Sequence, residues 1–318
     1  MKPIHAIHPI RHILAATDLS APARHAMDRG FQLASASGAR YTVLHALHLS
    51  PLDALRGLLG DDTAPMGLRL EEAARNELSD LLADPAHHRG VAASLHIRTG
   101  APTDVITSEA DAADAELLVV GARGEAFLRH GLLGSTASRL LRRTAARPVL
   151  VVKQPPHEPY RRVLAPVDFS PASCLALRLA HRLLPRAHLV LIHVFNVPFE
   201  GKLSLAGVDE VAIHAYRRKQ REDALQRLHG LAASAGLPIG HYSVLVPHGD
   251  PAQQVIAQEQ EQDADLILVG KHGTELTEEL LLGSVTKRIL NDSQCDVLVV
   301  PDPRRGRQLD EEAASPGD

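Results

Sequence analysis

Tryptophan is absent from this 318-residue chain, and only five phenylalanines and four tyrosines stand in it. Any core must therefore be packed from Leu, Val, Ile and Ala, which the 45% hydrophobic content supplies. Cysteine is nearly missing as well. Cys174 and Cys295 lie far apart and fit no metal spacing, which argues for a reducing compartment and against a disulfide framework. No apolar run approaches the roughly 20 residues that cross a bilayer. Met1 to Arg11 holds no apolar stretch of signal-peptide length, so a cytoplasmic location is expected. A formal net charge of -4 leaves no electrostatic footprint for nucleic acid or an acidic membrane. Several chemistries are missing from the motif record too. The chain has no G-x4-G-K-[ST] loop, no G-x-S-x-G elbow and no H-E-x-x-H pair, despite its 19 histidines. Solvated surface histidines are expected rather than a zinc site.

What the chain does have, it has twice. Gly121-Ala-Arg-Gly124 is followed after nine residues by Gly134-Ser135, and 149 residues later Gly270-Lys-His-Gly273 is followed after nine residues by Gly283-Ser284. A repeat of that period, in a chain too long for one hydrophobic core, means two domains of one kind. Each half alternates short apolar runs with helical patterns, which predicts a parallel sheet covered by helices. Strands are expected at His12–Thr17, Tyr41–Leu47, Ala92–Arg98, Glu116–Gly121 and Pro148–Val152 in the first half. Their counterparts are Arg162–Val167, His188–Val194, His241–Val246, Asp265–Gly270 and Asp296–Val300. Leu117–Val120 and Leu266–Val269 are apolar without alternation, as buried central strands are. Ser20 and Ser170, each followed within two residues by a proline, mark helix starts, and further helices start at Ser135 and Ser284. Lys153–Pro159 reads as a proline-stiffened linker. The domains are expected at 1–153 and 160–301, with 302–318 as a disordered tail.

A glycine at the end of a buried strand lets the chain turn and lets a ligand approach. A helix starting just beyond Gly134 or Gly283 offers unpaired N–H groups and a positive dipole end, a cradle for phosphate. In open parallel sheets ligands bind beyond the strand C-termini, where Asp18 and Asp168 also stand. The plainer reading of these two aspartates is that they cap the following helix.

These residues resemble those of a tandem universal stress protein of the ATP-binding type. The carrying features are G-x2-G-x9-G-S twice, Ala-Thr-Asp-Leu-Ser and Pro-Val-Asp-Phe-Ser on the first strands, and Pro-Val-Leu-Val-Val and Asp-Val-Leu-Val-Val on the last. The resemblance implies two tandem Rossmann-like α/β domains, each an open five-stranded parallel sheet in the order 3-2-1-4-5 with helices on both faces. It also implies ATP, with Mg2+, at the tips of strands 1 and 4. Thr17, Asp18 and Ala46 would meet the adenine side, Gly121 the ribose, and Gly124, Gly134, Ser135 and Thr136 the phosphates. The matching residues of the second half are Val167, Asp168 and Val194, then Gly270, Gly273, Gly283, Ser284 and Val285. The last strands would pair, giving an internal pseudo-dimer, and two chains could associate further as a homodimer with an unidentified protein partner.

No catalytic residue is assigned, because no Lys or Arg is fixed by a motif to stabilise a transferring phosphoryl group. The expected function is a sensor or adaptor of the stress response. The alternatives are a slow ATP hydrolase and a nucleotide-free interaction scaffold. Spacer charges differ between the copies: Arg123, Arg129 and His130 in the first, Glu275, Glu278 and Glu279 partly offset by Lys271 and His272 in the second. On that ground the first site is expected to tolerate a triphosphate better.

Overall fold

The computed structural model describes residues 10–49, 64–124, 133–144, 147–196, 209–271 and 282–301. Gly273, the tail 302–318, the segment Pro198–Val208 and most of Pro51–Gly67 and of both nine-residue spacers lie outside them.

The first compact unit spans residues 1–159 and includes Asp296–Val299; the second spans 160–295 with 300–318. In chain order the first unit holds β1 (His12–Thr17), α1 (Ala21–Ser37), β2 (Arg40–Leu47), α2 (Ala64–Ala83), α3 (Pro85–His88), β3 (Ala93–Thr99), α4 (Pro102–Ala112), β4 (Leu117–Gly121), α5 (Ser135–Arg143) and β5 (Val149–Val152). The second holds β6 (Arg162–Pro166), α6 (Pro171–Leu183), β7 (His188–Ile192), α7 (Glu210–Ala235), β8 (Tyr242–Leu245), α8 (Pro251–Glu261), β9 (Leu266–Gly270) and α9 (Ser284–Asp292). The chain's last described strand is β10 (Asp296–Val300).

Both units are α/β, with a parallel sheet between helices. In the first, the order β3-β2-β1-β4-β5 is parallel throughout. The β10 residues that belong to this unit extend the sheet antiparallel to β5, pairing Val297 with Val151 and Val299 with Val149. The second unit repeats the arrangement as β8-β7-β6-β9. Its core is aliphatic as expected, with Val163, Leu164, Leu189, Leu266 and Ile267 fully buried.

Local chemistry accounts for the helix starts. Ser20 and Ser170 cap α1 and α6, accepting from the backbone N–H groups of Ala23 and Ser173. Before α4 and α8 the chain turns at Gly100 (φ 151°) and Gly249 (φ 134°), a conformation that side chains rarely allow.

Helix α1 carries a glycine for a different reason. A Cβ on Gly30 would lie 2.6 Å from Cε2 and 2.7 Å from Cζ of Tyr41, whose buried hydroxyl donates to Met27 O at 2.8 Å. Gly30→Ala should therefore destabilise the protein by about 1–3 kcal/mol through overpacking, despite the gain in helix propensity. Gly230 in α7 has nothing within 4 Å of its Cβ position. There Gly230→Ala should stabilise by about 0.5–1 kcal/mol. Chemical denaturation of both variants checks the opposite signs.

The segment Lys153–Pro159 is no free spacer. Arg29 and Gln32 of α1 donate to the carbonyls of Glu158 (2.8 Å) and Pro156 (3.1 Å). The buried Asp296 carboxylate accepts from Lys153 N and Gln154 N at 2.7 and 3.1 Å. Several histidines also depart from the expected solvated surface. His12 is buried, with Nδ1 2.7 Å from Ala113 O and Nε2 2.9 Å from Thr42 Oγ1. His87 pairs with Asp28 at 2.6 Å.

Candidate functional site

In the first unit, β1 and β4 are neighbours in register from Ile13–Leu117 to Ala16–Val120, so their tips emerge together. Asp18 stands just past the β1 tip and is exposed. It is not the cap of α1. Its Oδ1 instead accepts from N (3.1 Å) and Oγ (2.5 Å) of the capping Ser20. The intervening Leu19 is held at φ 69°, and its counterpart Phe169 at φ 60°. Bulky residues seldom adopt this left-handed conformation, and such strain persists only where surrounding bonds enforce it. Thr17 adds one such bond, its Oγ1 accepting from Leu19 N at 3.1 Å.

The glycine loop meets this tip. A Cβ on Gly124 would collide with Asp18 Oδ2 and lie 3.6 Å from Asp18 Cγ, so the carboxylate faces the loop backbone. A Cβ on Gly134 would come within 3.2 Å of Ala122 O and 3.3 Å of Arg123 Cα. Its own N–H donates to Ala122 O at 2.8 Å, closing the loop. Gly134 is the N-cap of α5 and, having no side chain, makes no side-chain capping bond. Ser135, where the helix was expected to start, is its first residue; it follows the cap and is exposed. Thr136 is half-buried beside it. Gly121 has another use. A Cβ there would lie 3.0 Å from both C and O of Pro22, so the space it vacates is filled by the first turn of α1.

A cavity of about 580 Å³ opens beside Asp18. Asp18, Leu19, His45 and Ala46 line its sheet side, while Arg24 and Glu77 line the helix side. Arg24 is fixed by Leu19 O at 3.0 Å and Glu77 Oε1 at 2.7 Å. Of the residues singled out from sequence in this half, Asp18 and Ala46 line the cavity, and Gly124 abuts Asp18. Thr17 lies buried beneath; Gly121, Gly134, Ser135 and Thr136 are not among the lining residues.

The second unit repeats the backbone plan. Asp168 Oδ1 accepts from Ser170 N at 3.0 Å and Ser173 Oγ at 2.6 Å. Gly283 N donates to Lys271 O at 3.0 Å, as Gly134 does to Ala122, and Gly283 again caps its helix without a side-chain bond. Lys271 N donates to Val300 O, and Ala122 N to Val152 O, both at 2.8 Å. Thr286 adds a bond the first copy lacks, donating to Gly270 O at 2.8 Å. Ser284 is exposed, Val285 and Val194 are half-buried, and Val167 is buried. The Lys271 side chain is buried, so it does not act as a surface offset to the spacer glutamates.

The profile of the universal stress protein family matches residues 9–153 and again 159–301. The chain belongs to that family. Universal stress protein Rv2005c of Mycobacterium tuberculosis is 32% identical over 217 residues, 66% of this chain and 68% of the relative. Universal stress protein MJ0531 of Methanocaldococcus jannaschii is 32% identical over 149 residues, 46% of this chain and 85% of its own length. A solved universal stress protein from Archaeoglobus fulgidus shares the fold with a TM-score of 0.66 at 20% identity, covering 91% of this chain and 98% of that one. Among the described residues no helix is long and apolar enough to cross a membrane.

Within this family frame, sequence reading missed Arg24 and Glu77, whose pairing depends on two helices meeting. The helical spacing of Leu70, Ala74 and Leu78 was the available signal: Leu70 and Ala74 line the cavity, and Leu78 is fully buried below. The histidines on the second strands do share one task. His45 Nδ1 lies 2.9 Å from Thr17 O, and His193 Nδ1 lies 2.7 Å from Val167 O. A carbonyl only accepts, so both rings carry their proton on Nδ1.

Burial holds the His193 pKa below 6.5; Arg227 lowers it further, while the bond to Val167 O and the charge of Asp168 oppose the shift. A histidine depressed in the folded state contributes stability that is fully present above its unfolded pKa and lost as pH falls. The protein should therefore lose melting temperature as pH falls below 6.5. His193→Asn, whose amide can still donate to Val167 O, should make that slope shallower in thermal melts. An unchanged slope would remove His193 as its source.

Proposed function

We propose that this family member binds an adenine nucleotide, ATP with Mg2+, at its strand tips and serves the stress response as a sensor or adaptor. The observation that carries the reading is Gly124 set against Asp18, where the missing Cβ leaves main-chain loop facing a carboxylate-bearing turn. Beside that contact stand the glycine-capped start of α5 and a cavity of about 580 Å³, ample for an aromatic base. In this reading Asp18 and Ala46 meet the adenine and ribose end, with Thr17 beneath. Gly124, Gly134, Ser135 and Thr136 surround the phosphates near Gly121. The second half supplies Val167, Asp168, Val194, Gly270, Gly273, Gly283, Ser284 and Val285.

Among the described residues no three His, Cys, Asp or Glu side chains converge as a cation cage. Mg2+ accompanying the nucleotide would keep several waters and be held by the phosphates with one or two carboxylates, of which Asp18 stands against the glycine loop. The proposal takes 1–153 and 160–301 as the two nucleotide-binding domains, associated as a pseudo-dimer, and includes a homodimer of chains in the cytoplasm.

The test is direct. Gently purified protein is heat-denatured and the released nucleotide is identified and counted per chain. Protein that releases none, and whose melting does not shift with Mg·ATP, is a nucleotide-free scaffold and the reading fails. Accumulation of ADP that disappears in a Ser135→Ala, Ser284→Ala double variant would instead mark a slow hydrolase.

A further inference from the structure

Three positions that line the cavity of the first unit have counterparts in the second. Leu19 corresponds to Phe169 and His45 to His193, each from the same place on its strand tip. Glu77 corresponds to Arg227: in α2 it stands one residue before the fully buried Leu78, and in α7 Arg227 stands one residue before the fully buried Leu228. In the first unit these side chains bound an open volume. In the second they touch each other. The Phe169 ring lies 4.4 Å from the His193 ring, centroid to centroid, and the Arg227 guanidinium carbon sits 3.8 Å above the Phe169 centroid.

That spacing is already van der Waals contact, and a further aromatic ring between the two planes would need roughly double the separation. The guanidinium is attracted to the ring face, so the stack is favourable and not merely allowed. Arg24 ties Glu77 back in the first unit, but its counterpart is Cys174, which offers no charge to draw α7 away from the ring.

We infer that the stack of Arg227 on Phe169 closes the base site of the second unit, so that the chain takes up one nucleotide, in its first half, and a second only when this stack opens. The inference rests on the nucleotide-binding reading above. It differs from the asymmetry expected from spacer charges, which concerned the phosphates and rested mostly on residues outside the described segments. Phe169 and Arg227 act here as specificity-determining residues: they set which of two similar backbone sites accepts a base.

The experiment is equilibrium titration of full-length protein, stripped of nucleotide, with Mg·ATP. Wild type should bind one equivalent, and Gly134→Asp should remove it. A Phe169→Leu, Arg227→Ala variant should bind two equivalents, with the second site tightened at least tenfold, and should keep one when Gly134→Asp is added. Leucine is tolerated in that left-handed turn by Leu19, and Arg227 is exposed, so the variant should fold. If its circular dichroism nevertheless fails, Arg227→Gln alone should show the second equivalent. Two equal sites in wild type would overturn the inference, as would a single equivalent lost with Gly283→Asp or an opened variant that still binds one. Absence of binding in every variant would instead fell the nucleotide-binding reading, and this inference with it.

Discussion

Gly134→Asp should abolish nucleotide binding to the first unit while leaving the fold nearly as stable as before. The buried Gly134 caps α5 without a side chain, at the point where its N–H turns back to Ala122 O. A carboxylate introduced there lies where the phosphates would approach the helix start. Two like charges about 4 Å apart in a partly desolvated site repel by about 4 kcal/mol, roughly a thousand-fold in Kd. Folding should respond weakly, because two effects oppose. The new Cβ would press on Ala122 O at 3.2 Å. Against that, aspartate caps a helix start better than the glycine it replaces, by a few tenths of a kcal/mol. Gly134→Ala separates the causes, since it carries the same Cβ without the charge and should weaken binding far less. Calorimetric titration with Mg·ATP provides the measurement. Retention of affinity within about fivefold in Gly134→Asp would remove this helix start from the site.

Much of the architecture was legible because it depends on local pattern. Leu117–Val120 and Leu266–Val269 read as buried central strands from unbroken apolar runs, and they form β4 and β9. Ser20-Ala-Pro22 and Ser170-Pro171 marked helix starts by capping chemistry that needs no tertiary partner. The repeated glycine spacing also announced that two loops would be built alike. The matching bonds from Gly134 N to Ala122 O and from Gly283 N to Lys271 O show the likeness at the described ends of those loops.

What sequence hid was the use each residue makes of distant neighbours. Gly121 read as room for a ligand, yet the backbone of Pro22 and Ala23 occupies that room. Asp18 and Asp168 read as either ligand contacts or caps, and they brace the capping turn in a third way. The stack of Phe169, His193 and Arg227 joins three elements and leaves no periodic trace. Burial of His12 and Lys271 was equally invisible, because whether a polar side chain is enclosed depends on what packs over it.

The largest loss of stability is expected from Asp296→Ala, and its cause joins residues 267 positions apart in sequence. Asp296 and Arg29 lie 3.4 Å apart with side chains only 1% and 6% exposed. Arg29 also donates to Gln32 Oε1 at 2.7 Å and to Glu158 O at 2.8 Å, while Asp296 accepts from Lys153 N and Gln154 N. Removing the carboxylate takes a close counter-charge from a buried guanidinium and an acceptor from two backbone donors. Breaking one side of such a pair costs about 3–5 kcal/mol, far more than an exposed pair such as Arg75 with Glu71 would. Asp296→Asn keeps an acceptor oxygen and should lose less. Arg29→Met combined with Asp296→Ala should recover part of the loss, since the buried pair is then removed whole, but not all of it, because Lys153 N and Gln154 N lose the carboxylate as an acceptor. Urea denaturation of the three variants reads these energies. A loss below about 1 kcal/mol in Asp296→Ala would show that water reaches the pair and that the linker is held by its other bonds, in the range typical of exposed ion pairs.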